Sequence, residues 1–191
     1  MMTEHIIDLG GFDQFDLNDA NVLLYVGRNT EDRHFRSFLE EAYPNAKIIL
    51  FRDEKEELTP AFKEKIEAIH YSFIFALFTG MEDELSRVQA LTHYLIEITE
   101  MMGSTTVLLM SECKPETENS FLETLDKVKY LVQDFNDFHL NPVSLLLFPC
   151  GETGAKQAEL ASCIARSQEA GVYASPKIAE KYKLAAWSCD D

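Results

Sequence analysis

The chain has 191 residues, 46% hydrophobic and 26% charged, and a net charge of −16. These fractions fit one globular domain with a sizeable core, and so large an acidic excess, with no basic stripe, argues against nucleic acid or any other polyanion as a partner. No apolar stretch approaches the roughly 18 residues of a bilayer span, so no membrane partner is expected.

The N-terminal segment has no basic region leading into an apolar run, so no signal peptide is expected. The four cysteines, Cys113, Cys150, Cys163 and Cys189, contain no C-x-x-C pair. They read as reduced thiols in a cytoplasmic protein, neither a disulfide framework nor a zinc site.

Residues 1–20 read as an acidic extension carrying Asp8, Asp13, Asp16 and Asp19, with a short strand at most over 5–9. The first clear strand is Asn21–Val26, followed by Gly27 and a polar turn. A helix over 31–42 places Phe35, Phe38, Leu39 and Ala42 on one face, and Tyr43-Pro44-Asn45 ends it. Residues 46–51 form a second strand. Thr59 then Pro60 is a cap followed by an N1 proline, the start of a short helix to about residue 68.

Residues 71–78 are apolar on both faces, as a central parallel strand should be. The longest helix spans 81–102. Leu85, Val88, Leu91, Leu95, Ile98 and Met102 form its apolar stripe, and Gly103 is a suitable C-terminal cap. A fourth strand over 105–110, a helix over 120–135, a fifth strand at Val143–Phe148, a helix over 155–170 and a last short helix within 177–187 complete the chain.

Strands alternate with helices five times. That pattern predicts a Rossmann-like α/β three-layer sandwich with a mainly parallel sheet of five or more strands. Helices lie on both faces, joined by right-handed crossovers. The whole chain reads as a single domain, 1–191, with a tail over 175–191.

Ligands in such folds sit at the carboxyl ends of the strands, so candidate site residues lie in the loops there. Gly27, Arg28 and Thr30 occupy the first loop, where a helix N-terminus would receive a phosphate. A dinucleotide loop needs small residues at three places. Here only Gly27 qualifies, and Thr30 and Arg33 stand at the other two. Glu31 and Asp32 read as a solvated cap complementing the helix dipole, and their charge would repel a pyrophosphate. Arg52 and Asp53 end the second strand, where an acid would hold a ribose or an arginine a 2′-phosphate; the bland reading is a charged loop. Ser111 ends the fourth strand beside Glu112 and Cys113. No histidine is placed by sequence to activate that cysteine, and no His/Asp/Glu spacing reads as a metal site.

The run from Tyr71 to Gly154 resembles the extended short-chain dehydrogenase/reductase family of nucleotide-sugar epimerases and dehydratases. The resemblance is carried by T-T-V-L-L-M-S-E, by the helix holding Lys127 and Lys129, and by N-P-V-S-L-L-L-F-P-C-G-E-T-G with Pro149 and Gly154 at the family spacing. It implies NAD or NADP as cofactor and Ser111 as a catalytic residue. It also implies dimerisation through helices 81–102 and 120–135. Three departures point one way. The glycine-rich loop is reduced to Gly27, Glu123 and Leu125 stand where the tyrosine four residues before the lysine would be, and Phe148 replaces the arginine. Hydride transfer needs the tyrosine and lysine, so the resemblance implies a member that has lost cofactor binding and catalysis.

The leading expectation is therefore a pseudoenzyme without cofactor. It would act through protein–protein contact, as a homodimer or an accessory subunit of an enzyme. The alternatives are a working NAD(P)-dependent oxidoreductase or epimerase with an atypical loop, and a receiver- or flavodoxin-like signalling domain. Against the last stand Glu31 and Asp32, which come late for a receiver, and a first loop poor for flavin mononucleotide. Trp187 near the C-terminal end is expected either to pack on the body or to anchor a partner.

Overall fold

The computed structural model describes residues 17–28, 30–54, 56–79, 81, 84–112, 118–139, 142–149, 152, 154–167 and 170–187. The strand expected over 5–9 lies outside them. The described chain runs β1 (Asn21–Val26), α1 (Arg33–Ala42), β2 (Lys47–Arg52), α2 (Pro60–Ile66), β3 (Phe73–Leu77), α3 (Leu85–Met102) and β4 (Thr105–Ser111). It continues with α4 (Glu118–Phe138), β5 (Val143–Phe148), α5 (Ala155–Ser167), β6 (Val172–Ala174), α6 (Ala179–Tyr182) and β7 (Ala185–Ala186).

The seven strands form one sheet in the order β2-β1-β3-β4-β5-β6-β7, every pair parallel. The fold is the expected Rossmann-like three-layer sandwich. The order reverses between β1 and β3, the switch point where such sheets bind ligands. Only one described strand lies outside β1, as in flavodoxin-like sheets; the dinucleotide-binding order has two there.

Alternation along each strand sorts the core into two clusters. Leu23, Tyr25, Ile74, Leu108 and Leu145 face α2, α3 and α4. Val22, Leu24, Phe75, Leu109 and Phe148 face α1 and α5. Local signals act as their chemistry dictates. Thr59 Oγ1 accepts the Phe62 N–H at 3.2 Å and Pro60 opens α2. Gly103 closes α3 in the left-handed region at φ 69°. The predicted α3 stripe is inward: Val88, Leu91, Leu95 and Ile98 are buried.

One expectation of handedness is corrected. From β2 onward the chain steps across the sheet in one direction. The helices α2, α3 and α4 lie on one face during those steps, whereas α5, between β5 and β6, lies on the other, against α1. That connection therefore has the opposite hand to the others, the rare left-handed form. Among the described helices, α5 and α1 share the cover of the face bearing Val107, Leu109, Leu146 and Phe148.

Candidate functional site

The switch-point crevice begins at Gly27. Its N–H donates to the Leu77 carbonyl at 2.8 Å, and Thr30 N–H returns to the Gly27 carbonyl at 3.0 Å. A Cβ on Gly27 would stand 2.7 Å from Met81 Cγ, 2.8 Å from Thr30 Oγ1 and 3.0 Å from the Leu77 carbonyl oxygen. A side chain at this position would therefore meet the protein's own atoms, as expected of a glycine that makes the tight turn between a strand and a helix. Met81, expected inside the long helix, instead sits in a turn, 1% exposed, held by its N–H to the Phe78 carbonyl.

The acidic residues after Gly27 divide. Glu31 is exposed and its Oε1 accepts the Arg33 N–H at 2.7 Å, which caps α1. Asp32 makes no side-chain cap and is buried. It pairs with Arg52, which also donates to the Thr30 carbonyl at 3.2 Å, and Arg36 stands 3.9 Å away. The reading of Asp32 as a solvated cap is thus corrected: the β1–β2 pairing brings Arg52 over it. Arg28 is exposed.

Arg52 closes β2 with an exposed side chain, whereas Asp53 beside it is withdrawn from solvent. The Asp53 side chain is fully buried and receives Arg87 in a two-pronged ion pair, with Nε at 3.0 and 2.9 Å and a terminal nitrogen at 2.8 Å. Burial works against the Arg87 charge, but the Asp53 carboxylate more than offsets it, so the pKa is raised. Beside the pair the Tyr25 hydroxyl is buried with no hydrogen-bond partner among the described residues. Burial pushes its pKa up, and the Asp53 charge adds to the shift. Local pattern does not single out Arg87, though a lone cation beside stripe residue Val88 is a recognisable sign of an inward charge.

Ser111 is buried, and its hydroxyl donates to the Thr79 carbonyl at 2.7 Å. Next to it Glu112 accepts the Tyr182 hydroxyl at 2.7 Å and pairs with Lys181, which ties α6 to the end of β4. Burial raises the Glu112 pKa, but the hydrogen bonds from Lys181 and Tyr182 outweigh it, so the carboxyl lies below its ordinary range. The structure thus brings Gly27, Thr30, Arg52 and Asp53 to one end of the sheet, and all four are engaged in internal packing or pairing. Ser111 holds the β3 end in the same way.

Two openings lie elsewhere. A cavity of about 310 Å³ stands at the ends of β5 and β6, between α5 and Trp187. A wider groove of about 590 Å³ runs along the outside of α3 and α4 past Ala90, His93, Asp126, Tyr130 and Leu131. It continues past Glu97, Asp134, Phe138 and His139. Tyr130 is 67% exposed and Phe138 78%. The hydrogen bond that the Glu100 carboxylate accepts from His139 raises the His139 pKa, with the Phe135 carbonyl contributing.

Comparison with protein-family models and with curated proteins gives no match to this chain. Among the described residues no group of three or more His, Cys, Asp or Glu is placed to hold a metal, and no helix is long and apolar enough to cross a membrane. Cys163 is disulfide-bonded. The reading of four reduced thiols is corrected there, because the lack of a C-x-x-C pair says nothing about cysteines joined by the fold.

Proposed function

We propose that this chain is a non-catalytic Rossmann-like protein that works through contact with another protein across the outer face of α3 and α4. The observation that carries the reading is the contrast between a first loop whose described residues are engaged internally and an open groove on α3 and α4. Met81 and Thr30 occupy the approach to Gly27, and the Arg52–Asp32 pair closes the loop above it. Large apolar side chains are instead presented on the helix pair: Met101, Leu122, Tyr130 and Phe138 are all exposed. Tyr130 and Phe138 border the groove, and large apolar side chains exposed beside a groove are what an interaction site presents.

The groove's charge bears on the occupant. Glu97, Glu100, Asp126 and Asp134 line it against Lys127, so a second copy would bring acid against acid. A partner with basic residues around an apolar strip fits better, which favours the accessory-subunit form over the homodimer. The resemblance to the short-chain dehydrogenase/reductase family, in which the corresponding helices dimerise, supports the same face.

The test is a photo-crosslinking residue at position 130 or 138, with position 28 as control, in cells expressing the chain. Crosslinks to a protein from 130 and 138 alone are expected. A label pattern equal to the control, from a chain that sediments as a monomer, overturns the reading. A second reading has the flavodoxin-like strand order in its favour and would make the chain a signalling domain. Calorimetric titration with flavin mononucleotide, NAD(H) and NADP(H) decides against it and against the oxidoreductase reading if no heat beyond dilution is seen. A micromolar dissociation constant for any of them favours the corresponding reading instead.

A further inference from the structure

The shape and charge of the α3–α4 groove select one class of partner segment, an inference that rests on the protein-contact reading above. Each of the two helices joins neighbouring parallel strands, so they run side by side in one direction and form a straight trough. Its lining extends from Ser86 to Glu100 on α3 and from Asp126 to His139 on α4, and His93 and Leu131 belong to both stretches. At 1.5 Å per residue that is about 20 Å, the length of a helix of about four turns.

The walls offer side chains and no backbone. The N–H and C=O groups of α3 and α4 are committed to their own helices. An extended segment laid in the trough would therefore lose water from its backbone with nothing in exchange. A helix arrives with those bonds already made and meets the trough through its side chains alone, which is how amphipathic helices dock in grooves.

Charge is spread unevenly along the trough. Asp126 and Lys127 offset each other in its first half. The second half is lined by Glu97, Glu100 and Asp134, with no Lys or Arg among its described residues. Histidines share two of those acids: His139 Nε2 lies 2.8 Å from Glu100 and His93 Nδ1 3.7 Å from Glu97. Both helices end there with no basic residue in the last turn, so the partial negative charge of two helix C-termini adds to the carboxylates. A complementary partner is basic at that end and near neutral at the other. The chain's own residues 1–20 carry five acids and no Lys or Arg, so they do not supply it. A second copy would present the same acids against Lys127.

We infer that the groove receives an amphipathic helix of another protein, about 14 residues long. Its apolar stripe, at i, i+3, i+4 and i+7, lies along Leu131, Tyr130 and Phe138, and at least two Lys or Arg stand at the end over Glu97, Glu100 and Asp134.

The chain carrying p-benzoylphenylalanine at position 130 or 138 is irradiated in cells, and the crosslinked segment is sequenced by mass spectrometry. A synthetic peptide of that segment is titrated against the intact chain by fluorescence anisotropy, with circular dichroism reading its helix content. The expected segment has the stripe and the terminal basic pair, is helical when bound, and binds more weakly as salt rises. Glu97→Gln with Glu100→Gln and Asp134→Asn is expected to weaken it about tenfold. Glu40→Gln with Glu41→Gln and Glu159→Gln removes the same charge from exposed positions on α1 and α5, and should change affinity less than about twofold. An acidic segment, one that is not helical when bound, or one from a second copy of this chain overturns the inference and leaves a contact at this face standing. Equal affinity for the two triple variants does the same. No crosslink from either position removes the contact reading, and this inference with it.

Discussion

Arg87→Met tests whether the Asp53–Arg87 pair is a structural clasp rather than a vestige of ribose recognition. The substitution keeps an unbranched apolar stem but removes every donor to a carboxylate whose side chain is 0% exposed. Stranding a buried charge in this way costs about 3–5 kcal/mol. Loss of the guanidinium over the Phe62 ring, 5.9 Å from its centroid, adds about 0.5–1 kcal/mol. For a domain of this size, each kcal/mol lowers the melting temperature by about 2–4 °C, so a fall of roughly 7–24 °C is expected. Asp53→Leu combined with Arg87→Met removes both charges and should recover most of the loss, because a buried ion pair replaced by apolar groups is often neutral. Urea unfolding followed by circular dichroism, with an unchanged slope, measures these two variants and Asp53→Leu alone. A single-variant cost below about 1 kcal/mol, or a double variant equal to the sum of the singles, refutes the reasoning.

Three further outcomes follow from the same geometry. Gly27→Ala should destabilise by about 1–3 kcal/mol through overpacking, because the Leu77 carbonyl cannot move aside; a neutral result in a thermal melt would show that the crevice has slack. Ser111→Ala should cost about 1–3 kcal/mol, the expense of leaving a buried carbonyl without its donor, and denaturant unfolding reads it directly. Glu112 has a folded pKa below its unfolded value, so its contribution is complete above the unfolded pKa of about 4.3 and is lost as pH falls through the folded value. The stability gap between the native chain and Glu112→Gln should accordingly be full at pH 6 to 7 and shrink below about pH 4; a gap that widens on acidification contradicts the assignment.

The sheet is legible where burial dictates sequence. β1 and β5 are short apolar runs bounded by turn residues, and their limits coincide with the expected ones. β6 and β7 leave no such trace. Val172 and Tyr173 are only half buried, and Ala185 and Ala186 are exposed, so neither strand carries a run of apolar residues. The site is harder to read, for a related reason. Asp32 meets Arg52 across a gap of 20 residues, and Asp53 meets Arg87 across 34. Strand pairing and helix placement make those neighbours, and no local pattern announces them. Met81 reads as helix because an apolar residue after a strand satisfies either assignment; only its fit beneath Gly27 separates the two.

The left-handed passage through α5 sets an order of events during synthesis. The face shared by α1 and the central strands is completed by a helix that ends at Ser167, late in the chain. Ribosomes add about 5–20 residues per second, so Val107 and Leu109 stand uncovered for several seconds after β4 has been made. Growing from the N-terminus, the chain can close its α3–α4 side first. The opposite side has to wait for α5, and until then the nascent protein is a half-covered sheet, the form in which a chaperone would meet it.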